Sequence, residues 1–166
     1  MTLTLILVRH AKSDHPAGTG DHDRPLNELG RKDAPRMGAW LTDKGHAPER
    51  VLCSTARRAV ETWEGLQEGG LDASATFEGN LYHAAPDTMI DMLKGRQERS
   101  LMIVGHNPGM GLLAARMAVD PPDDGAFLRY PTCAVTVLRF DAEDWSGAAP
   151  GTGEVVDFAV PRRLAE

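Results

Sequence analysis

The chain has 166 residues, 42% of them hydrophobic, and carries a net charge of −6 at pH 7. This length and apolar fraction fit one α/β domain with its own core, so residues 1–166 are expected to form a single domain. The acidic balance, without any basic run, argues against a nucleic-acid partner and against a membrane surface. The apolar segment at the start is too short to cross a bilayer and has no basic stretch before it, so it is predicted to be a strand rather than a signal peptide.

The two cysteines, Cys53 and Cys133, lie far apart in the sequence and form neither a CxxC pair nor a metal-ligand spacing. Such residues are predicted to be reduced thiols in the core. Reduced cysteines favour a cytoplasmic location, which we expect for this protein.

The hydrophobic pattern predicts strands at Leu3 to Val8, Arg50 to Cys53, Ala75 to Phe77, Leu101 to Val104, Ala134 to Phe140 and Glu154 to Val160. The first and fourth are continuous apolar runs, typical of strands buried on both faces of a parallel sheet. The last two flank a turn rich in Gly and Pro and are expected to pair antiparallel.

Helices are predicted between these strands at Asn27 to Leu41, from Ser54 or Thr55 to Leu66, at Asp87 to Leu93, and from Asn107 to Val119. Asn27 is expected to cap the first helix, which places Leu29, Met37 and Leu41 on one face. Pro35 inside this helix predicts a kink or a later start. The alternation of strands and helices indicates a three-layer α/β/α sandwich with a mainly parallel sheet.

Each of the two continuous apolar runs is followed by a histidine. Arg9 and His10 follow the first run, and His106 follows the second. Ligand sites in such sheets lie just beyond the carboxyl ends of the strands, so the two histidines are expected to converge. The stretch from Asp14 to Arg24 has no period and is predicted to be a loop that overhangs the same end of the sheet.

Helical periodicity distinguishes the adjacent residues Arg57 and Arg58. Ala59 and Trp63 share one face of the helix after the second strand, whereas Arg57 clusters with acidic residues on the opposite face. Arg57 is therefore expected in solvent. Arg58 lies at the boundary of the buried face, where it is expected to reach toward the two histidines.

Arginines around an imidazole suit phosphoryl transfer. Arginine binds phosphate oxygens bidentately and neutralises their charge. A neutral imidazole nitrogen can attack phosphorus to form a covalent phosphohistidine, which water then hydrolyses. The helix amino terminus at Asn107 also favours a bound anion. Each of these residues could instead have a purely structural role, since a histidine can hydrogen-bond to the backbone and an arginine can form an ion pair.

Four segments in order resemble the histidine phosphatase superfamily: Leu7 to Ala11, Asp23 to Leu26 with Gly30, Ser54 with Arg58, Ala59 and Thr62, and Val104 to Gly109. Within it, the short chain and the Arg-Pro-Leu segment most resemble the SixA-type phosphohistidine phosphatases. The resemblance implies that His10 is the phosphorylated nucleophile and that Arg9, Arg58 and His106 hold the phosphoryl group. It also implies that no metal or organic cofactor is used.

The sequence departs from the broader superfamily in the segment that carries the general acid. That acid is a Glu or Asp, whereas His83 stands at the corresponding position within Glu78 to Ala85. Glu78 and His83 both stay open as proton donors and substrate contacts. A phosphorylated imidazole leaves as a near-neutral ring without such a donor, but an alkoxide does not. The departure therefore favours phosphohistidine over alkyl phosphates as the substrate.

The sequence gives weaker evidence for the roles of other residues near these motifs. Arg24 is expected either to contact the substrate or to pin its own loop. Asn107 is expected to contribute to substrate binding, and Tyr82 is expected in the core. Histidines and aspartates between Asp14 and Asp23 resemble a metal cluster, but their spacing matches no ligand template, so a solvated loop is expected.

We expect a metal-independent phosphatase that removes phosphate from phosphohistidine in proteins, such as a histidine-containing phosphocarrier, and that is a monomer or a weak dimer. The absence of a long insertion to serve as a lid suits a substrate displayed on another protein. Two alternatives stay open. One is a small-molecule phosphomonoesterase or mutase that uses the same pocket. The other is a non-catalytic module that binds phosphate or a phosphoprotein.

Overall fold

The computed structural model describes residues 1–164 and shows a six-stranded sheet between two layers of helices. The strands are β1 (Thr2–Arg9), β2 (Arg50–Ser54), β3 (Ser74–Glu78), β4 (Ser100–Gly105), β5 (Val135–Asp141) and β6 (Glu154–Ala159). The helices of the described residues are α1 (Glu28–Asp43), α2 (Arg57–Glu68), α3 (Pro86–Leu93), α4 (Gly109–Met117), α5 (Gly125–Arg129) and α6 (Pro161–Leu164). Short 3₁₀ turns lie at Asp21–Asp23, Gly79–Leu81 and Trp145–Gly147. Within residues 1–164, no helix has the length and apolar character needed to span a membrane.

The strand order across the sheet is β3-β2-β4-β1-β5-β6. The first four strands along the chain pair parallel to one another, so their carboxyl ends reach the same edge of the sheet. β5 runs antiparallel to both β1 and β6, as predicted for the last two strands. The sheet is therefore mixed rather than mainly parallel, because this antiparallel pair is added beside β1.

Alternating side chains of the central strands fill a separate core on each face of the sheet. In β1, Leu5 and Leu7 belong to one core, and Ile6 and Val8 belong to the other. Helices α3, α4 and α5 pack on the first core, and α1 and α2 pack on the second. This arrangement confirms the predicted α/β/α sandwich.

Helix α1 confirms one local prediction and corrects another. The Asn27 side chain accepts a hydrogen bond from the Gly30 amide at 2.9 Å and caps the helix, and Pro35 lies inside it. The prediction that Leu29 shares one face with Met37 and Leu41 is wrong, since Leu29 is 53% exposed whereas the other two are buried. The buried face of α1 contains Gly30 and Ala34. Leu29 is rotated from Gly30 by about 100° around the helix axis, so its side chain points away from that face.

Helices α2 and α4 begin later than predicted. Ala56 occupies the cap position of α2, and the predicted cap Ser54 instead accepts a hydrogen bond from the Ala56 amide at 3.2 Å. Pro108 occupies the cap position of α4, and the predicted cap Asn107 accepts from the Gly111 amide at 3.1 Å. In both cases, a polar side chain at or just beyond the end of a strand bonds to the backbone from outside the regular helix.

Gly30 permits α1 to approach the segment that follows β1. A Cβ at Gly30 would lie 2.2 Å from the backbone oxygen of Lys12 and 3.0 Å from its nitrogen. Backbone atoms in a close-packed interior do not yield as a flexible side chain does. Because Lys12 lies two residues after His10, this glycine contributes to the position of the end of β1.

Replacing Gly30 with alanine is expected to lower the free energy of unfolding by about 1 to 3 kcal/mol, the usual cost of overpacking. Urea denaturation measures this change. Gly79→Ala is the matched control, since a Cβ at Gly79 meets nothing within 4 Å. A G30A protein as stable as the G79A protein would contradict the steric account.

Candidate active site

The carboxyl ends of β1 and β4 and the start of α2 surround a cleft of about 270 Å³. The residues that line it are Arg9, His10, Lys12, Ser13, His15, Asp21, Arg24, Arg58, His83, His106, Asn107 and Thr132. Cationic and imidazole side chains dominate, and among the described lining residues Asp21 is the one carboxylate. The cleft is therefore suited to an anionic ligand.

The predicted site residues Arg9, His10, Arg58 and His106 meet on the floor of this cleft. The sheet register pairs Arg9 with Gly105, which places His10 beside His106 with 5.2 Å between ring centroids. Arg58 Nε lies 3.4 Å from His10 Nε2. His10, Arg58 and His106 are 7%, 2% and 4% exposed. Four residues from three segments of the chain thus form one compact constellation, in which His10, Arg58 and His106 are buried and Arg9 is half-buried.

His10 carries its free lone pair on Nε2. Its Nδ1 lies 2.8 Å from the backbone oxygen of Ala11, and because a carbonyl oxygen only accepts, Nδ1 carries the ring proton. Burial, followed by the charges of Arg58 and Arg9, lowers the pKa of His10 to about 4. The ring is therefore neutral at pH 7, with its nucleophilic nitrogen facing the Arg58 guanidinium.

His106 has the opposite tautomer. Ser54 Oγ accepts from the Ala56 amide at 3.2 Å and lies 2.8 Å from His106 Nε2. Ser54 is buried, and among the described residues His106 Nε2 is the one hydrogen-bond acceptor in reach of its hydroxyl proton, so the serine donates and the proton of the neutral ring lies on Nδ1. This Nδ1 is buried and has no hydrogen-bond partner among the described residues. Burial and the neighbouring His10 lower the pKa of His106 to about 3, so the site presents a neutral N–H donor.

Arg9 supplies a second unpartnered donor. Its Nη1 donates to the backbone oxygen of Tyr130 at 3.0 Å, which fixes the guanidinium, while its buried Nε has no partner within the described residues. An unpaired buried donor lowers the stability of the folded protein by about 1 to 3 kcal/mol. Such a group needs an explanation, and a ligand that accepts its hydrogen bond would provide one. Burial and the nearby Arg58 guanidinium lower the pKa of Arg9. A bound anion would stabilise both cations.

Arg24 holds the loop between β1 and α1 and also lines the cleft. Its Nε donates to Asp21 Oδ1 at 3.0 Å, and its Nη1 donates to Ser13 Oγ at 2.8 Å. The same Nη1 lies 2.9 Å from the His15 ring. The contacts expected of a loop-pinning residue are therefore present, and its contact with a substrate stays a prediction.

The three remaining candidates occupy different environments. Asn107 lines the cleft, but its amide donates to Tyr130 O at 3.0 Å and accepts from Gly111 N at 3.1 Å, so it also anchors local backbone. His83 lies on the rim in a left-handed conformation, with a φ of 57°, which is uncommon outside glycine. Glu78 ends the edge strand β3 and is not one of the cleft-lining residues.

Asp21 and Tyr82 are functional candidates that sequence reasoning missed. The loop expected to be solvated folds back over the cleft, and Asp21 Oδ2 accepts from Arg58 Nη2 at 3.2 Å. Tyr82, expected in the core, donates its hydroxyl to the same Oδ2 atom. The spacing of Asp21 and Arg24 is compatible with a local ion pair, but no sequence pattern relates either residue to Arg58. Within residues 1–164, no group of three or more His, Cys, Asp and Glu side chains is arranged to hold a metal.

Comparison with known proteins places this fold and site in a family. The model of the histidine phosphatase superfamily (branch 1) matches residues 5–78. An uncharacterized protein of Mycobacterium tuberculosis (strain CDC 1551 / Oshkosh) is 40% identical over 162 residues, covering 93% of this chain and 100% of that protein. The chain belongs to the histidine phosphatase superfamily.

Solved structures are similar over almost the whole chain. A candidate phosphohistidine phosphatase SixA from Nakamurella multipartitia superposes with a TM-score of 0.81 at 27% identity, covering 97% of both chains. A protein histidine phosphatase SixA complexed with tungstate superposes with a TM-score of 0.77 at 24% identity, covering 98% of this chain and 99% of that one. The second likeness shows the fold alone. Family membership and the first of these neighbours together support a phosphatase.

The neutral imidazoles can be tested by NMR titration. The ring resonances of His10 and His106 are expected to titrate at about pH 4 and about pH 3, below the ordinary histidine value of about 6.5. Because folding lowers both pKa values, the unfolded chain binds more protons in this range. The free energy of unfolding should therefore fall as the pH decreases from about 6.5 toward 4. A midpoint near 6.5 for His10 would contradict the burial argument.

Proposed function

We propose that this protein is a phosphatase that acts through a covalent phosphohistidine on His10 and removes phosphate from phosphohistidine side chains of other proteins. One observation carries the proposal. The neutral His10 Nε2 faces Arg58 on a floor that also holds two unpartnered buried nitrogens, Arg9 Nε and His106 Nδ1. This combination supplies a nucleophile beside preorganised donors for an oxyanion.

In the first step, His10 Nε2 attacks the phosphorus of the substrate. The P–N bond of the substrate breaks as the P–Nε2 bond forms, and the electron pair of the broken bond stays on the leaving imidazole. His10 then carries a positive ring. Its Nδ1–H already donates to Ala11 O at 2.8 Å, and a hydrogen bond from a charged donor is stronger than one from a neutral donor. The backbone therefore stabilises the phosphoenzyme.

The phosphoryl oxygens are held by Arg9, Arg58 and His106. Arg58 Nε lies 3.4 Å from the attacking nitrogen, so it stands beside the transferring phosphorus. Arg9 Nε and His106 Nδ1 supply two further donors that no protein group uses within the described residues. Donors that are fixed before the reaction stabilise the developing charge without reorganising.

In the second step, water attacks the phosphorus of the phosphoenzyme. The P–Nε2 bond breaks, its electron pair returns to Nε2, and inorganic phosphate leaves with the proton released by the water shared between product and solvent. His10 regains its neutral form, which its lowered pKa of about 4 favours. The cycle needs only water besides the substrate.

The composition of the rim supports an imidazole as the leaving group. His83 stands where the broader superfamily carries a carboxylic acid, and Glu78 lies outside the cleft. An alkoxide needs a positioned proton donor, whereas a protonated phosphoimidazole leaves as a neutral ring. The His83 side chain is 58% exposed, so the rim is accessible to a histidine on another protein surface.

We further propose a histidine-containing phosphocarrier as the partner and the cytoplasm as the compartment. Cys53 and Cys133 are free, buried thiols, and free thiols fit a reducing compartment. A phosphocarrier domain displays its phosphohistidine on its surface, which suits an open cleft. Residues 1–166 would perform this function as one domain.

Arg58→Ala is expected to lower kcat/KM by about 10²- to 10³-fold, the usual effect of removing one oxyanion donor. The matched control is Arg57→Ala in the same helix turn. The Arg57 side chain is 56% exposed and pairs with Glu61 at 3.1 Å, so its loss should leave the rate near that of the wild type. Steady-state kinetics would measure both variants, and equal effects would remove the assigned role of Arg58.

His10→Ala is expected to abolish turnover while phosphate binding stays measurable by calorimetry. The wild-type protein should release inorganic phosphate from a radiolabelled phosphohistidine carrier domain and should itself carry a transient, acid-labile label that H10A lacks. Three results would overturn the proposal. Return of phosphate to an organic acceptor would identify a mutase, and activity limited to small phosphomonoesters would identify an esterase. Binding without any turnover would identify a binding module.

A further inference from the structure

A second group of side chains surrounds the mouth of the cleft. We define this mouth cluster as Asp21, Tyr82 and His83. The Tyr82 hydroxyl donates to Asp21 Oδ2, and His83 Nε2 lies 3.6 Å from the same oxygen. The side chains of Asp21 and His83 are 48% and 58% exposed, and both line the cleft. The two phosphoryl-transfer steps described above make no use of this cluster.

The mouth cluster lies on the side of the cleft that the leaving group must occupy. In an in-line displacement, the leaving atom stands opposite the nucleophile across phosphorus. His10 lies on the floor and is 7% exposed, so the leaving group points toward the mouth. Arg58 spans the two levels: its Nε faces His10, while its Nη1 and Nη2 donate to Asp21 O at 2.7 Å and to Asp21 Oδ2 at 3.2 Å. Asp21 is therefore separated from the nucleophile by one guanidinium group.

Asp21 is a hydrogen-bond acceptor at neutral pH. The hydrogen bond from Tyr82, together with Arg24 and Arg58, holds the pKa of its carboxyl far below the usual range, and His83 adds a further imidazole beside it. A carboxylate offers about four acceptor positions, and Tyr82, Arg24 and Arg58 occupy three of them. Oδ1 carries only the Arg24 bond among the described residues. This oxygen retains capacity for a donor from a ligand.

We propose that Asp21 accepts a hydrogen bond from the ring N–H of the leaving imidazole, keeps that ring protonated, and thereby selects phosphoimidazoles over phosphate esters. This inference rests on the proposed function and deepens it. In a protonated phosphoimidazole, one ring nitrogen is bonded to phosphorus and the other carries a proton. When the P–N bond breaks, its electron pair stays on the first nitrogen and neutralises the ring. The imidazole leaves with its proton, and Asp21 neither gains nor loses one.

The same carboxylate disfavours phosphate esters. The leaving oxygen of an alkyl ester needs a proton, and an ionised Asp21 has none to donate. The oxygen also has no hydrogen to offer, so its lone pairs and the carboxylate repel each other. Specificity often combines an attraction for the right partner with such a repulsion of the wrong one.

The rings of Tyr82 and His83 complete a surface for a planar leaving group. Their centroids lie 4.0 Å apart, and Tyr82 lies 5.5 Å from the His106 ring. The Tyr82–His106 separation lies in the range in which aromatic rings pack favourably. His83 is held at a φ of 57°, and residues held in sparsely populated backbone conformations cluster at ligand sites. An imidazole entering the mouth would therefore meet ring faces as well as a carboxylate.

The test compares Asp21→Asn with Asp23→Asn. Asparagine keeps the size of the side chain and one acceptor oxygen but removes the charge. Asp23 belongs to the same 3₁₀ turn, its side chain is 81% exposed, and it lies 3.9 Å from the His22 ring, so it is the matched control. The substrates are phosphoimidazole and p-nitrophenyl phosphate, whose phenolate leaves without a proton donor. The measured quantity is kcat/KM for each substrate at pH 6 and pH 8.

D21N is expected to lower kcat/KM for phosphoimidazole at pH 8 by about tenfold or more, as for the loss of one charge-assisted hydrogen bond. The loss should be smaller at pH 6, where the free substrate ring is already protonated. Activity on p-nitrophenyl phosphate, which depends on Asp21 only through the position of Arg58, should fall by a smaller factor, so the ratio of the two kcat/KM values should shift toward the ester. D23N should match the wild type on both substrates.

Equal losses on the two substrates would leave the ratio of their kcat/KM values unchanged and would mean that Asp21 only orients Arg58, and no loss on either substrate would mean that Asp21 does not contact the leaving group. Either result would overturn the inference while the proposed function survived. A wild-type protein that hydrolyses p-nitrophenyl phosphate but not phosphoimidazole would instead overturn the proposed function. Circular dichroism would verify folding, and Asp21→Ser provides a second uncharged variant for the same comparison if D21N does not fold.

Discussion

The buried guanidinium of Arg58 is the group on which the rest of the site depends. Its side chain is 3% exposed, and a charge removed from water is tolerated only when it is paired and hydrogen-bonded. Asp21 supplies that pairing through its carboxylate and its backbone oxygen, so the loop after β1 must close over the cleft. The same cation opposes protonation of His10. One side chain therefore sets the loop position and helps to keep His10 neutral.

The charges of the cleft are arranged in two levels. The floor presents Arg9, Arg58 and an N–H of His106, which suit the oxygens of a phosphoryl group. The mouth presents the Asp21 carboxylate, which suits a cation. A protonated phosphoimidazole carries its negative charge on the phosphoryl group and its positive charge on the ring, so its polarity matches that of the cleft. An alkyl phosphate lacks the second charge.

Much of the fold followed from local patterns. The apolar runs of β1 and β4 predicted buried strands whose following histidines converge, and the helical period separated the exposed Arg57 from the buried Arg58. The prediction that Leu29 shares a face with Met37 and Leu41 was wrong because the inward face of α1 is decided by the elements that it packs against. Helix α5 and the 3₁₀ turns escaped prediction because they are too short to show a period. The mixed sheet arises from the position of β5 beside β1, which strand patterns do not specify.

By itself, the sequence determined the order of strands and helices, the two histidines at strand ends and the choice between adjacent arginines, because each depends on residues within a few positions of one another. The tertiary structure decided where the ring proton of His106 lies, how Arg9 is anchored, and that Asp21 closes over Arg58 at the mouth of the cleft. The proton of His106 is fixed by Ser54, which lies 52 positions earlier, and Arg9 is anchored by Tyr130, which lies 121 positions later. Asp21 meets Arg58 across 37 positions. Such contacts form only when distant segments pack together, so no local pattern carries them.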